Sequence, residues 1–358
     1  FAFAFAFAFA FALLAPGFAF AGETKPVRVG IIMGFTGDWA SVNDAVRNGM
    51  EMALKKLPAE TRAKMQIFYE DDAADARKTV SAFQSLRSLH NINVVITCSS
   101  TTSKALAPIA DQTKTPMLSI ATDPAVSAAR KYVVNFWTTD EEEVKALLPE
   151  VKRRGMKRIA RITSIHDMTL AVKKSFDRQN NGVIGVALDE EYSPAEKQFT
   201  TYLAKVRADK SVDGIFVLLL PGQLGVFAKQ ARQQGVTLPL FGVEFFEDSA
   251  EVKVSDGALI GSWYTNAVDP EESFWEHYKK EYPNSSLFGA PVGHDLILLL
   301  GAAVKQSTEI ERINRYLHDA RDFTGVLGTF SATNDNRFAI PSEVKIITQD
   351  GFKPLARK

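Results

Sequence analysis

The chain has 358 residues, more than one compact core needs, so its length points to two domains. Lys plus Arg number 42 and Asp plus Glu number 42, and with no Lys/Arg run this balance speaks against nucleic acid or an anionic membrane surface as partner. A single cysteine, Cys98, excludes an intramolecular disulfide and a cysteine-rich zinc site.

Residues 1–21 stand apart from the rest. Phe and Ala alternate strictly to Ala12, and the stretch continues uncharged through Pro16-Gly17 to Ala19-Phe20-Ala21. It is long enough to be read as a membrane span, yet the late Pro-Gly and the small-x-small ending fit the cleavage region of a secretory signal better. A membrane anchor or a non-native extension are the alternatives. The mature chain is therefore read from near Gly22.

From there short apolar runs alternate with amphipathic stretches. Val27–Met33 reads as a strand and Ser41 opens a helix, on which Val42, Ala45, Val46, Gly49, Met50, Ala53, Leu54 and Leu57 share one face. Ser41 with Asp44 forms a candidate capping pair. Strands follow at 66–70, 94–97 and 117–120, with helices at 75–89 and 102–113. The rhythm restarts with strands at 158–163, 183–188, 214–220, 238–242 and 259–264, separated by helices at 169–179, 195–208 and 223–234. Such strict alternation predicts parallel sheets with helices on both faces. Three late helices, 271–282, 292–305 and 309–320, and a last strand, 344–348, predict that the chain returns to its first domain. Several crossings between the two domains would make a hinge.

In open parallel sheets a ligand binds at the loops leaving the carboxyl ends of strands. Three such loops are chemically distinctive: 34–41, with Gly34, Gly37 and Trp39; 97–103, with hydroxyl residues unbroken from Ser99 to Ser103; and Ile120-Ala121-Thr122-Asp123-Pro124. A helix N-terminus beside free hydroxyls is an anion site, although Ser and Thr also serve as plain helix caps. Catalytic patterns are missing. There is no nucleophile elbow, no phosphate-binding loop and no dinucleotide fingerprint. The five histidines show no metal-ligand spacing, and the adjacent pairs His166-Asp167 and His294-Asp295 read as surface or core residues. The reading is a binding protein, not an enzyme, with neither metal nor cofactor.

One family carries these fragments in this order. Thr36-Gly37-Asp38, Asn48-Gly49-Met50-Glu51, Asp71-Asp72, Cys98-Ser99-Ser100, Ala107-Pro108-Ile109-Ala110, Ala121-Thr122-Asp123-Pro124, Lys229-Gln230-Ala231, Phe241-Gly242 and Phe323-Thr324-Gly325 together resemble the branched-chain amino-acid (Leu/Ile/Val) binding proteins. The similarity spans nearly all of residues 26–352. It implies an α/β type I periplasmic-binding-protein fold, two doubly wound parallel-sheet lobes joined by a three-strand hinge. The expected lobes are 27–138 plus 266–341 and 139–265 plus 342–358.

The resemblance also implies a periplasmic, monomeric solute receptor that closes on an amino acid or related carboxylate and delivers it to an ABC transporter permease. Ser99, Ser100 and Thr122, with backbone help at Ile120, would hold the ligand carboxylate, and Glu244 the α-ammonium. The residues themselves point the same way, since Glu244 comes just after a strand end, on the side of the cleft opposite the hydroxyl loops. Tyrosines that line the second-lobe wall in the family are replaced by Leu220 and the region of Met168, while Trp39, Trp137, Phe245 and Phe246 offer an aromatic wall. The cysteine that partners the Cys98 position in some members is Ala74 here. These departures leave an aromatic or aliphatic acid or an amide as alternative ligand. The ligand-sensing part of a regulator or receptor is the alternative role.

Overall fold

The alternation in the sequence becomes two separate sheets in the computed structural model, which describes residues 25–338 and 340–355. The signal-like stretch 1–21 lies outside the described residues.

The first lobe is built from β1 (Val27–Met33), α1 (Ala40–Lys56), α2 (Ala59–Arg62), β2 (Met65–Asp71), α3 (Ala76–His90), β3 (Val94–Cys98), α4 (Ser100–Gln112), β4 (Met117–Ile120) and β5 (Val133–Asn135). Its five parallel strands run in the order β2-β1-β3-β4-β5. All residues of β3 and β4 are buried, as expected of strands covered by helices on both faces.

The second lobe comprises α5 (Asp140–Arg153), β6 (Arg158–Ser164), α6 (Asp167–Asn180), β7 (Gly185–Tyr192), α7 (Thr200–Ala208), β8 (Gly214–Leu218), α8 (Leu224–Gln233), β9 (Leu240–Gly242), α9 (Ser249–Val254) and β10 (Trp263–Ala267). The chain then returns to the first lobe with α10 (Glu272–Glu281), α11 (Ala290–Gln306), α12 (Ile310–Asp319) and the hairpin β11 (Phe323–Gly325) and β12 (Gly328–Phe330). It ends in the second sheet with β13 (Ser342–Thr348) and β14 (Gly351–Pro354), giving seven strands in the order β14-β13-β10-β9-β8-β6-β7. The chain thus passes between the sheets three times: after β5, after β10 and into β13.

The return is anchored by close helix packing. A Cβ on Gly49 of α1 would lie 1.9 Å from the Ala290 carbonyl oxygen, and one on Gly293 of α11 would lie 2.1 Å from that of Val46. The two helices touch backbone to backbone, which only glycine permits at both positions.

Several boundaries differ from those expected. The strand expected at 259–264 lies at Trp263–Ala267, because the preceding segment folds into turns with Gly257 and Gly261 at positive φ. The helix expected from Ala195 starts at Thr200. Ser41 does not cap α1; its hydroxyl donates instead to Asp248 Oδ1 of the second lobe at 2.9 Å. The sequence reading missed α5, whose Asp140–Glu143 run stabilises a helix N-terminus electrostatically while Thr139 Oγ1 caps it. Among the described residues no helix is long and apolar enough to cross a membrane.

Candidate functional site

Where the two lobes face each other, a cavity opens at the carboxyl ends of both sheets' strands. Its walls bring together Trp39, Ser99, Ser100, Ile120, Thr122 and Glu244, six of the seven residues expected from the sequence. Leu220 is absent from the wall. It is buried just beyond β8, where its carbonyl accepts the N–H groups of Gln223 and Leu224.

The polar pole of the first lobe forms where β3 turns into α4. Ser99 adopts φ 91° and ψ 138°, in the left-handed half of backbone space that side chains with a Cβ avoid. Its N–H is held by the Ile120 carbonyl at 3.0 Å, yet its buried Oγ has no hydrogen-bond partner. A buried hydroxyl without a partner costs free energy unless something binds it. Ser99 is therefore not a side-chain cap of α4. Ser100, by contrast, accepts the N–H of Asp123 at 3.1 Å and so ties the two loops together. The Ala121 peptide is fixed on both sides by Asn135, whose amide accepts from Ala121 N and donates to Ala121 O.

The second lobe contributes Glu244, at the start of a 3-10 turn spanning Glu244–Glu247 that follows β9. Its carboxylate accepts from Trp137 Nε1 at 2.5 Å and from Thr122 Oγ1 at 3.0 Å. Burial pushes Glu244 up to about 7, with the Trp137 and Thr122 hydrogen bonds pulling the other way. Behind it sits Glu143 of α5, fully buried, with Oε1 accepting the Glu244 N–H at 3.4 Å and Oε2 unpartnered. Burial first, and the neighbouring Glu244 second, push Glu143 well above the usual carboxylate range. Neither carboxyl has an ion-pair partner among the described residues.

The remaining walls are aromatic. Trp39 packs edge-on to Phe245 at 5.3 Å and against His166 at 5.7 Å. Phe288, in the loop before α11, meets Phe245 and Trp137 at 5.9 and 6.1 Å. Phe246 turns away and stacks on Tyr264, so it is not part of the wall. His166 is held neutral by burial, which pushes it down to about 4, and its Nδ1 accepts the Met168 N–H. Cys98 also lines the cavity as a free thiol pushed up to about 12 by burial.

Sequence reading missed His166, Phe288 and Glu143. His166 follows the end of β6, so the strand-end rule applied to the second lobe would have found it. Glu143 was hidden in an acidic run that looks like ordinary helix-start chemistry. No local signal marks Phe288. His294 and Asp295 do interact, with Nδ1 and Oδ1 2.9 Å apart. Asp295 there accepts the N–H groups of Val326 and Leu327, so the pair anchors the β11 hairpin, away from the cavity.

Contacts across the cleft extend beyond the cavity. Asp167 of α6 accepts from Lys104 Nζ at 2.7 Å and Thr101 Oγ1 at 2.8 Å, both on α4, and Lys197 reaches Asp38 at 3.0 Å. The lobes are closed on each other. Among the described residues no cluster of His, Cys, Asp and Glu is arranged to hold a metal ion.

A sequence model of a family described as periplasmic binding protein matches residues 26–344. No curated protein sequence matches. The leucine-binding protein LivK of Thermotoga maritima superposes with a TM-score of 0.86 at 20% identity, covering 92% of this chain and 98% of that one. LivJ of Streptococcus pneumoniae, a branched-chain amino acid transporter substrate-binding protein in complex with isoleucine, gives 0.83 at 18% identity over 92% and 99%. The solute-binding protein of an ABC transporter from R. palustris, in complex with benzoate, gives 0.84 at 17% identity over 92% and 96%. At these identities the likeness establishes the shared fold.

Proposed function

The chain belongs to the periplasmic binding protein family, and from that premise we propose that it captures a small α-amino acid with an apolar side chain for an ABC importer. The observation that carries this reading is the pair of opposed polar poles in one aromatic cavity. Ser99, with an unpartnered buried hydroxyl at the N-terminus of α4, faces the cavity from the first lobe. Glu244, a buried carboxyl without an ion-pair partner, faces it from the second. An α-amino acid carries a carboxylate for the first pole and an ammonium for the second, and its side chain would lie among Trp39, Phe245 and Phe288.

The lobes in this reading are 27–138 plus 266–341 and 139–265 plus 342–358, a division supported by which sheet each strand joins. The three connecting passages form the hinge. A periplasmic location and a membrane permease as partner belong to the same proposal and rest on the family. So does the absence of catalysis.

A second reading, an aromatic carboxylic acid, is favoured by one observation. Burial holds Glu244 at about 7, so just below neutrality it is largely protonated, and a neutral Glu244 does not repel an acid. A thermal-shift screen with L-leucine, L-isoleucine, L-phenylalanine and benzoate separates the two. A ligand at 100 times its dissociation constant stabilises by about 2.7 kcal/mol. Stabilisation by amino acids and not by benzoate supports the first reading, and the reverse result supports the second.

A further inference from the structure

The turn that carries Glu244 is joined to all three passages between the lobes. In a 3-10 turn, side chains three residues apart eclipse one another, so Glu244 and Glu247 project from the same face. Glu244 accepts from Trp137, which lies on the first passage, just after β5. Glu247 accepts from Asn266 Nδ2 at 2.8 Å on the second passage, at the end of β10. It also accepts from Lys345 Nζ at 3.1 Å, on β13 beyond the third. Lys345 in turn bonds Asp269 Oδ1 at 2.6 Å, which ties the second passage to the third.

This hinge cluster is buried. Lys345 is 1% exposed and Glu247 4%. Burial alone would push the Lys345 ammonium down, but Glu247 and Asp269 outweigh it and hold it above its ordinary value. Tyr264 also donates to Glu247 at 3.2 Å, so that carboxylate collects three donor groups. A second cavity lies over the cluster, and its lining includes Trp137, Glu247, Asn266, Asp269 and Lys345. Trp137 borders both this cavity and the ligand cavity.

We propose that Glu247 is a positioning residue for ligand capture: clamped by Lys345 and Asn266, it fixes the turn so that Glu244 meets Trp137 and the ligand only when the hinge strands are in their closed arrangement. The inference rests on the Glu244 reading above and adds the link from that carboxylate to the hinge. Removing one member of a buried ion pair leaves the other uncompensated, so the cluster has no tolerance for half-formed arrangements.

The test observes the Trp137 indole N–H by nitrogen–proton NMR in ligand-free protein, with the resonance assigned by its loss in Trp137→Phe. Glu247→Gln is expected to move it more than half of the way to its position in Glu244→Ala, which has no side-chain acceptor, because the Trp137–Glu244 bond is lost in both. Lys345→Met is expected to do the same, and Asp269→Asn, at the cluster's more exposed edge, to cause a smaller shift in the same direction. Melting temperature is measured alongside. A resonance unmoved in every folded variant, with melting temperature lowered, would mean that the cluster only stabilises the hinge and would overturn the proposal. L-leucine is then added to the wild type. A failure of L-leucine to move the resonance counts against the amino-acid reading and leaves the ligand-free result on Glu247 standing.

Discussion

Thr122 Oγ1 donates to Glu244 Oε1 across the cleft at 3.0 Å, joining the residue assigned to the ligand's carboxylate to the one assigned to its ammonium. The Thr122 hydroxyl is thus already engaged within the protein, whereas the Ser99 hydroxyl is not. The two hydroxyls are not equivalent anchors.

Ser99→Ala is therefore expected to weaken binding more than Thr122→Ala. A hydrogen bond to a charged group contributes about 1.5–3 kcal/mol, and Ser99→Ala should lose an amount in that range. Thr122→Ala loses a bond whose acceptor, Glu244, keeps Trp137, and should cost less. Titration calorimetry with the best amino acid from the screen measures both. Equal affinity for wild type and Ser99→Ala would mean that the strained turn at Ser99 serves the fold alone.

Asp167 holds the cleft shut through Lys104 and Thr101, outside the ligand cavity. Lys104 and Asp167 are 39% and 34% exposed, so the ion pair contributes about 1 kcal/mol or less and is screened by salt. Asp167→Asn should raise the ligand dissociation rate up to about fivefold, with little change in the association rate. Stopped-flow tryptophan fluorescence at low and high salt reads both rates. An unchanged dissociation rate would show that the bridge does not contribute to closure.

The return of the chain to the first lobe depends on Gly293, where a Cβ would sit 2.1 Å from the Val46 carbonyl oxygen. Backbone cannot yield as a flexible side chain can. Gly293→Ala should destabilise by about 1–3 kcal/mol, the usual cost of overpacking. Urea unfolding checks this, and a midpoint equal to that of wild type would contradict the packing described.

Much of this was legible in the sequence, and the exceptions have physical reasons. Buried strands such as Val94–Cys98 and the long apolar face of Ala40–Lys56 read directly from their patterns. The loops holding Ser99 and Thr122 were found because hydroxyl residues at strand ends are chemically conspicuous. Glu244 was placed through family resemblance and its position after a strand. Glu143, Glu247 and Lys345 were not found. A charged residue on a helix, turn or late strand looks solvent-facing in sequence, and only the tertiary fold buries it. Leu220 lies two residues beyond the end of β8 at Leu218, just ahead of Pro221-Gly222, where it is buried in the core and is not among the residues lining the cavity.

The buried carboxyls give the ligand-free protein a characteristic pH response. Burial lifts Glu244 from 4.5 in the unfolded chain to about 7. The folded state therefore keeps a proton that the unfolded state has lost, and this contribution to stability, complete below 4.5, is lost as pH rises through about 7. Glu143, raised by burial first and by the neighbouring Glu244 second, adds to the decline in the same direction. An ammonium ligand favours ionised Glu244, so its binding should release a proton below about pH 7. Melting temperatures of wild type relative to Glu244→Gln, taken between pH 5 and about 8, test the first point. A wild type that gains on the variant as pH rises would contradict it.

The central claim is that Glu244 partners a ligand ammonium, and one comparison tests it most directly: the affinity of L-leucine for wild type and for Glu244→Gln by titration calorimetry. Glutamine preserves the shape and removes the charge, which leaves the ammonium desolvated without a counter-charge. Losing one member of a buried charge pair costs about 2–5 kcal/mol, so binding should weaken about 30-fold or more. Unchanged or tighter L-leucine binding by Glu244→Gln would contradict the account.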